Sequence, residues 1–172
     1  YAGACYGSRS MRPILEAMSR AVETGLPPVQ LSIFGELDPA ARTFLDEHPL
    51  TGRVIVNGRV SAPEITAHMR GASALLLIIG TQHRTALSAK VFDYLQVEKP
   101  ILGYGPAGCD AANLVHKCGM GEFAYDQAGM VEQLFKVAEG RLSFKPKPAA
   151  LKPYSADMMA ERTATLLDRV LA

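Results

Sequence analysis

The sequence predicts an α/β fold: a doubly wound, mainly parallel, Rossmann-like sheet of about six strands with helices on both faces. Three observations carry that expectation. Short apolar runs alternate with amphipathic helical stretches along nearly all of the 172 residues. The run 74–79 is apolar throughout, as a strand is when helices cover both sides of a parallel sheet. Strand and helix signals also alternate strictly, which requires crossover connections and so favours parallel pairing.

Taken in order, the first strand is 1–5, followed by a glycine-bearing loop and a helix at 11–23. A strand at 29–34 leads to Asp38-Pro39, an N-cap with proline in the first helical position, opening the helix 40–47. A strand at 54–57 precedes Ser61-Ala62-Pro63-Glu64, which reads as a capping box for the helix 64–70, with Val60 and Ile65 placed as its hydrophobic staple. After the strand 74–79, Ser88 stands where it would cap the helix 89–96. The strand 100–104 is followed by Asp110, placed to cap the helix 110–117. The strand 122–125 ends at Asp126, the cap of a helix at 127–139. Lys145-Pro146-Lys147-Pro148 forms a proline-rich connector to a last helix at 156–171. With no internal repeat and no biased tract, residues 1–172 read as one domain.

The balance of 18 basic and 17 acidic residues gives a net charge of +1. That excludes the strongly basic face expected of a nucleic-acid partner. The longest apolar run is far below the roughly 20 residues that span a bilayer. No basic segment leads into an apolar stretch at the start, so no signal peptide is expected. Three cysteines (Cys5, Cys109 and Cys118) lack the paired spacing of a disulfide framework. His116 lies two residues before Cys118, but no second ligand pair stands nearby, and His48, His68 and His83 are scattered. The expectation is a reduced, cytoplasmic protein with neither metal nor cofactor. A start at Tyr1 rather than at methionine suggests a piece of something longer.

The most informative segment runs from Thr85 through Ser88-Ala89-Lys90 to Leu95. If Ser88 caps the helix, Val91, Phe92 and Leu95 share the face that packs on the sheet, leaving Lys90, Asp93 and Tyr94 opposite. A lysine in the first turn opposes the helix field by about 0.3–1 kcal/mol at exposed sites. A diphosphate would reverse that balance by meeting the free N–H groups and the ammonium together, with Asp93 one turn on to hold a ribose. The alternative is a solvated Lys–Asp pair at i, i+3, worth little. His83, after the apolar strand 74–79, faces the same predicted cleft, as a ligand contact or merely as a solvated side chain.

A second motif competes. Gly103-Tyr104-Gly105-Pro106-Ala107-Gly108 matches G-x-G-x-x-G between a strand and a helix, and Asp126 follows near the distance of a ribose-binding acid. Against a dinucleotide site, the motif stands at the fifth strand rather than the first, Pro106 removes an N–H from the cradle, and Asp126 serves as a helix cap.

The stretch Ser88-Ala89-Lys90-Val91-Phe92-Asp93-Tyr94-Leu95, with Lys99-Pro100-Ile101-Leu102, resembles the donor-site helix and next strand of the family-4 type retaining glycosyltransferases. Those enzymes have the two-domain glycosyltransferase B fold. They usually carry a glutamate at the position of Asp93, on the ribose hydroxyls, and another eight residues earlier, on the sugar, where this chain has Thr85. Tyr1-Ala2-Gly3 and Gly7-Ser8-Arg9-Ser10 resemble the first strand and glycine-bearing loop of the donor domain. Ala4 replaces one phosphate-facing arginine of that loop, and Arg9 occupies the lysine position. Leu31-Ser32-Ile33-Phe34-Gly35-Glu36 and Val56-Asn57-Gly58-Arg59-Val60 resemble the next two strands, with the backbone near Val60 where the family meets the nucleobase.

The resemblance implies a nucleoside-diphosphate sugar bound by Gly3, Gly7, Arg9, Val60, Ser88, Ala89, Lys90 and Asp93, with His83 and Thr85 as further candidates and no metal. It implies a partner too, an N-terminal acceptor domain absent from these residues, toward which the last helix would pack. Without it, this half is expected to bind nucleotide weakly and to transfer nothing, its last helix exposing an apolar patch. Peripheral membrane association of the parent enzyme stays open. So do three other readings: a nucleotide-sugar epimerase of the same architecture, an NAD-binding domain, and a non-catalytic interaction module.

Overall fold

A computed structural model describes residues 1–5, 7–85 and 87–171, with residue 171 described in its backbone only. The elements alternate as α1 (Arg12–Glu23), β1 (Leu31–Phe34), α2 (Pro39–Glu47), β2 (Val54–Gly58), α3 (Ala62–Gly71), β3 (Leu75–Ile78), α4 (Ala89–Val97), β4 (Ile101–Tyr104), α5 (Asp110–Cys118), β5 (Gly121–Ala124) and α6 (Gln127–Ala138). The proline-rich connector then forms a short helix α7 (Pro148–Leu151) and a 3-10 turn, Lys152–Tyr154, before α8 (Ala156–Leu171). All strand pairings are parallel.

Helices cover both faces, and β3 shows how. Its four residues are all buried, and the side chains alternate between two cores. Leu76 and Ile78 join Met18 of α1, Phe44 of α2 and Leu134 of α6. Leu75 and Leu77 join Val91 and Leu95 of α4 and Val115 of α5. A period of two inside an unbroken apolar run is what a strand buried on both sides requires.

Several helix starts form as their sequences predict. Asp38 accepts from Ala41 N at 3.1 Å at the head of α2. Ser61 and Glu64 bond reciprocally at the head of α3, and Asp126 accepts from Gly129 N at 2.7 Å at the head of α6. Asp38 does more than its sequence context suggests. It also accepts from Ser10 Oγ and Met11 N, both at 2.9 Å, and so ties the head of α1 to the head of α2.

Three expectations need correction. Among the described residues there are five strands, against about six expected, in a two-stranded sheet β1-β2 and a three-stranded sheet β3-β4-β5. The segment 1–5 makes a single bridge, Ala2 to Phe34. Its hydrogen bonding to the β1 exit nevertheless continues past Gly3, where Cys5 N donates to Glu36 O at 3.0 Å. On its other side the Tyr94 hydroxyl takes the place of a backbone ladder, accepting from Ala2 N at 3.2 Å and donating to Leu76 O at 3.1 Å.

Tyr94 itself is the second correction: it lies in the core at 1% exposure, whereas Phe92 is half-buried and packs toward Tyr154. The ring gains burial while its hydroxyl finds two backbone partners at the seam, which the outward face could not offer. Third, Cys109 rather than Asp110 is the N-cap of α5, with no side-chain cap. Asp110 N instead donates to Arg84 O at 2.8 Å, so a carbonyl from the loop before α4 satisfies this helix head.

On α8, Met159, Leu166, Leu167 and Val170 are exposed, Val170 to 82%. Their spacing places them on one stripe. No helix among the described residues is long and apolar enough to cross a membrane.

Candidate functional site

In open α/β sheets, ligands sit beyond the carboxyl ends of the strands. Here β3 exits through Ile79 and Gly80 into a loop that returns as α4, beside the loop 7–11 that precedes α1. Between them lies a pocket of about 450 Å³, lined by Arg9, Ile79, Gly80, His83, Leu87, Ser88, Ala89 and Lys90. That volume suits a small molecule.

Lys90 lines this pocket, and its ammonium lies toward Tyr1 and Gly3, which are outside the lining. Its ammonium stands 4.1 Å from the centroid of the Tyr1 ring, within cation–π range. It also rests against Gly3, where an added Cβ would come within 3 Å of Nζ. The missing side chain at Gly3 therefore makes room for the ammonium. Burial first, and the Arg9 guanidinium second, hold the Lys90 pKa down at about 8, against the weaker pull of Cys5 and Asp93. Arg9 and burial both disfavour the charged form of Lys90.

The head of α4 is open to an anion. Ser88 occupies the N-cap position, but its side chain makes no capping hydrogen bond, contrary to the expected cap. The helix turn is closed instead by its carbonyl, which accepts from Val91 N at 3.0 Å. The hydroxyl of Ser88 and the first amides of α4 thus share the pocket wall with Lys90. The loop carrying Arg9 is set from both ends: Gly7 turns it at φ +59°, and Asp38 fixes Ser10 and Met11.

The structure therefore brings together Arg9, His83, Ser88, Ala89 and Lys90, with Gly3 beneath the ammonium. Gly7 is exposed and shapes the loop without lining the pocket. Asp93 is exposed one turn along α4, acting on Lys90 through charge rather than forming part of the wall. Thr85 and Val60, the latter just beyond β2, are exposed and outside the lining. Ala86, in the segment leading to α4, lies outside the described residues.

A larger cavity, about 580 Å³, opens at the seam under α3, toward the amino ends of β1 and β3. Its lining holds no Lys, Arg, Asp or Glu side chain. The smaller pocket is the better candidate because it has the cations and the strand-exit position.

The G-x-G-x-x-G motif is used in packing. A Cβ on Gly103 would strike the Phe123 ring, and one on Gly105 would come within 2.8 Å of Ile79. The following helix head is occupied by Arg84 O, and Asp126 is engaged with Gly129 N. Three histidines have packing roles: His48 stacks on Phe44, His68 on Phe34, and His116 meets Phe123 edge-on. Among the described residues, no three His, Cys, Asp or Glu side chains group to hold a metal ion.

Over 98% of its length the chain is similar to a solved lipopolysaccharide outer core galactosyltransferase, WaaB, in its apo form, with a TM-score of 0.63 at 15% identity. The fold is one half of the glycosyltransferase B architecture. The chain spans about half the length of that structure, 49% of it. No family model matches the sequence, and no curated protein is recognisably similar to it.

Proposed function

We propose that this chain is the nucleotide-sugar-binding half of a glycosyltransferase, in which a sugar passes from a nucleoside diphosphate to an acceptor with retention of anomeric configuration. The observation that carries this reading is the convergence of Lys90 and Arg9 on one strand-exit pocket beside an uncapped helix head. The glycosyltransferase B half-fold supports it.

The chemistry follows from charge. As the glycosidic bond to the diphosphate breaks, negative charge grows on the leaving phosphate oxygens. Lys90, Arg9 and the α4 amides stabilise that charge where it develops, in surroundings less screened than bulk water. Asp93 would reach the ribose from one turn further along α4, and Val60 would approach the base. The acceptor site and the remainder of the cleft belong to a second domain, and the apolar stripe of α8 is a surface for packing against it.

Calorimetric titration with UDP, GDP, ADP and NAD tests the reading. At least one nucleoside diphosphate binds, and Lys90→Ala weakens it about tenfold or more, the scale of a lost charge-assisted hydrogen bond. Tight NAD binding with no diphosphate response would refute it. Product analysis with the full-length enzyme separates transfer from epimerisation.

A further inference from the structure

Ser8 has a buried hydroxyl oxygen with no hydrogen-bond partner among the described residues. Its place is specific. A Cβ on Gly80 would come within 3 Å of Ser8 Oγ and 3.1 Å from His83 Cδ2, so the oxygen sits where those two wall residues meet. Gly80, His83 and Arg9, the next residue in the chain, all line the pocket. Alanine at this position would fill nearly the same space without burying an unpaired oxygen, whose desolvation is unfavourable. Gly80 in turn leaves the room that the oxygen takes up. The hydroxyl thus stands directly behind a wall of the pocket that Ser8 itself does not line.

We infer that Ser8 is a further ligand-binding residue of this pocket: its hydroxyl turns about χ1 to donate a hydrogen bond to a diphosphate oxygen held between Arg9 and Lys90. The inference rests on the donor-binding reading and adds a neutral hydrogen-bond donor to its two cations. A hydroxyl does here what a third cation would do poorly, because another positive charge beside Lys90 and Arg9 would raise their mutual repulsion. Turning between staggered rotamers needs no backbone movement.

The test is calorimetric titration of the chain with inorganic pyrophosphate, UDP, GDP and ADP, for wild type, Ser8→Ala and Ser8→Cys, with thermal melts of each unliganded protein. Both variants are expected to bind the preferred probe about tenfold more weakly, the scale of one hydrogen bond to a charged group. Ser8→Ala is expected to melt at or above the wild-type temperature, since it removes an unpaired oxygen. Affinity equal to wild type in both variants overturns this inference and leaves the donor reading standing. Weaker binding with a lowered melting temperature in both variants assigns Ser8 to folding and also overturns it. Wild type silent toward all four probes overturns both readings.

Discussion

Lys90 gives the candidate site a pH signature that can be calculated. In the unliganded chain its pKa is about 8, lowered from 10.5 by burial and by Arg9. A bound diphosphate would add negative charge to the weak pull of Cys5 and Asp93 and restore the ammonium toward its ordinary range. Binding then takes up a growing fraction of a proton as the pH rises through 8, so affinity falls over that range. With a free pKa of 8, Lys90 is about nine-tenths protonated at pH 7 and about one-tenth at pH 9. Diphosphate affinity should therefore weaken about tenfold between those values, or about 1.4 kcal/mol. Calorimetry in two buffers of different ionisation enthalpy would also register the proton taken up at pH 9. Lys90→Arg is the control, because a guanidinium stays charged throughout this range. Any slope from the ligand's own phosphate would persist in that variant. A flat wild-type profile, or an equal slope in Lys90→Arg, would refute the argument that Lys90 meets the diphosphate.

Two further outcomes concern the scaffold. Tyr94→Phe keeps the buried ring but strips the partner from Ala2 N and Leu76 O, so it should cost about 1–3 kcal/mol, read as a lower midpoint in urea unfolding. Asp38→Ala removes the acceptor of three hydrogen bonds at two helix heads. It should cost about 3 kcal/mol and release the Arg9 loop, seen as faster amide exchange at Met11 than in wild type.

What the sequence revealed depended on whether the signal was local. The capping residues Asp38, Ser61 and Asp126 act within three residues of themselves, so their roles could be read directly. The strand 75–78 could be read as well, because burial on both faces leaves an apolar run. Tyr94 misled because its advantage is long-range: its partners are residue 2 and residue 76, and no helical periodicity encodes them. The head of α5 misled in the same way, since the group that satisfies Asp110 N is a carbonyl 26 residues earlier. At the candidate site, Lys90 and Ser88 were legible from their place at a helix start. The second role of Asp38 and the orphan oxygen of Ser8 were not, because each depends on how two strand exits meet.

The hydrogen bond from Asp110 N to Arg84 O has one more consequence. It moors the segment that carries His83 to the turn that follows β4, so this wall of the pocket is framed by two neighbouring turns rather than hung from one. A change of shape in the 105–110 turn would tilt the wall without any altered residue touching the ligand. The shape of the pocket could then be altered from behind, at positions that a survey of contacts alone would pass over.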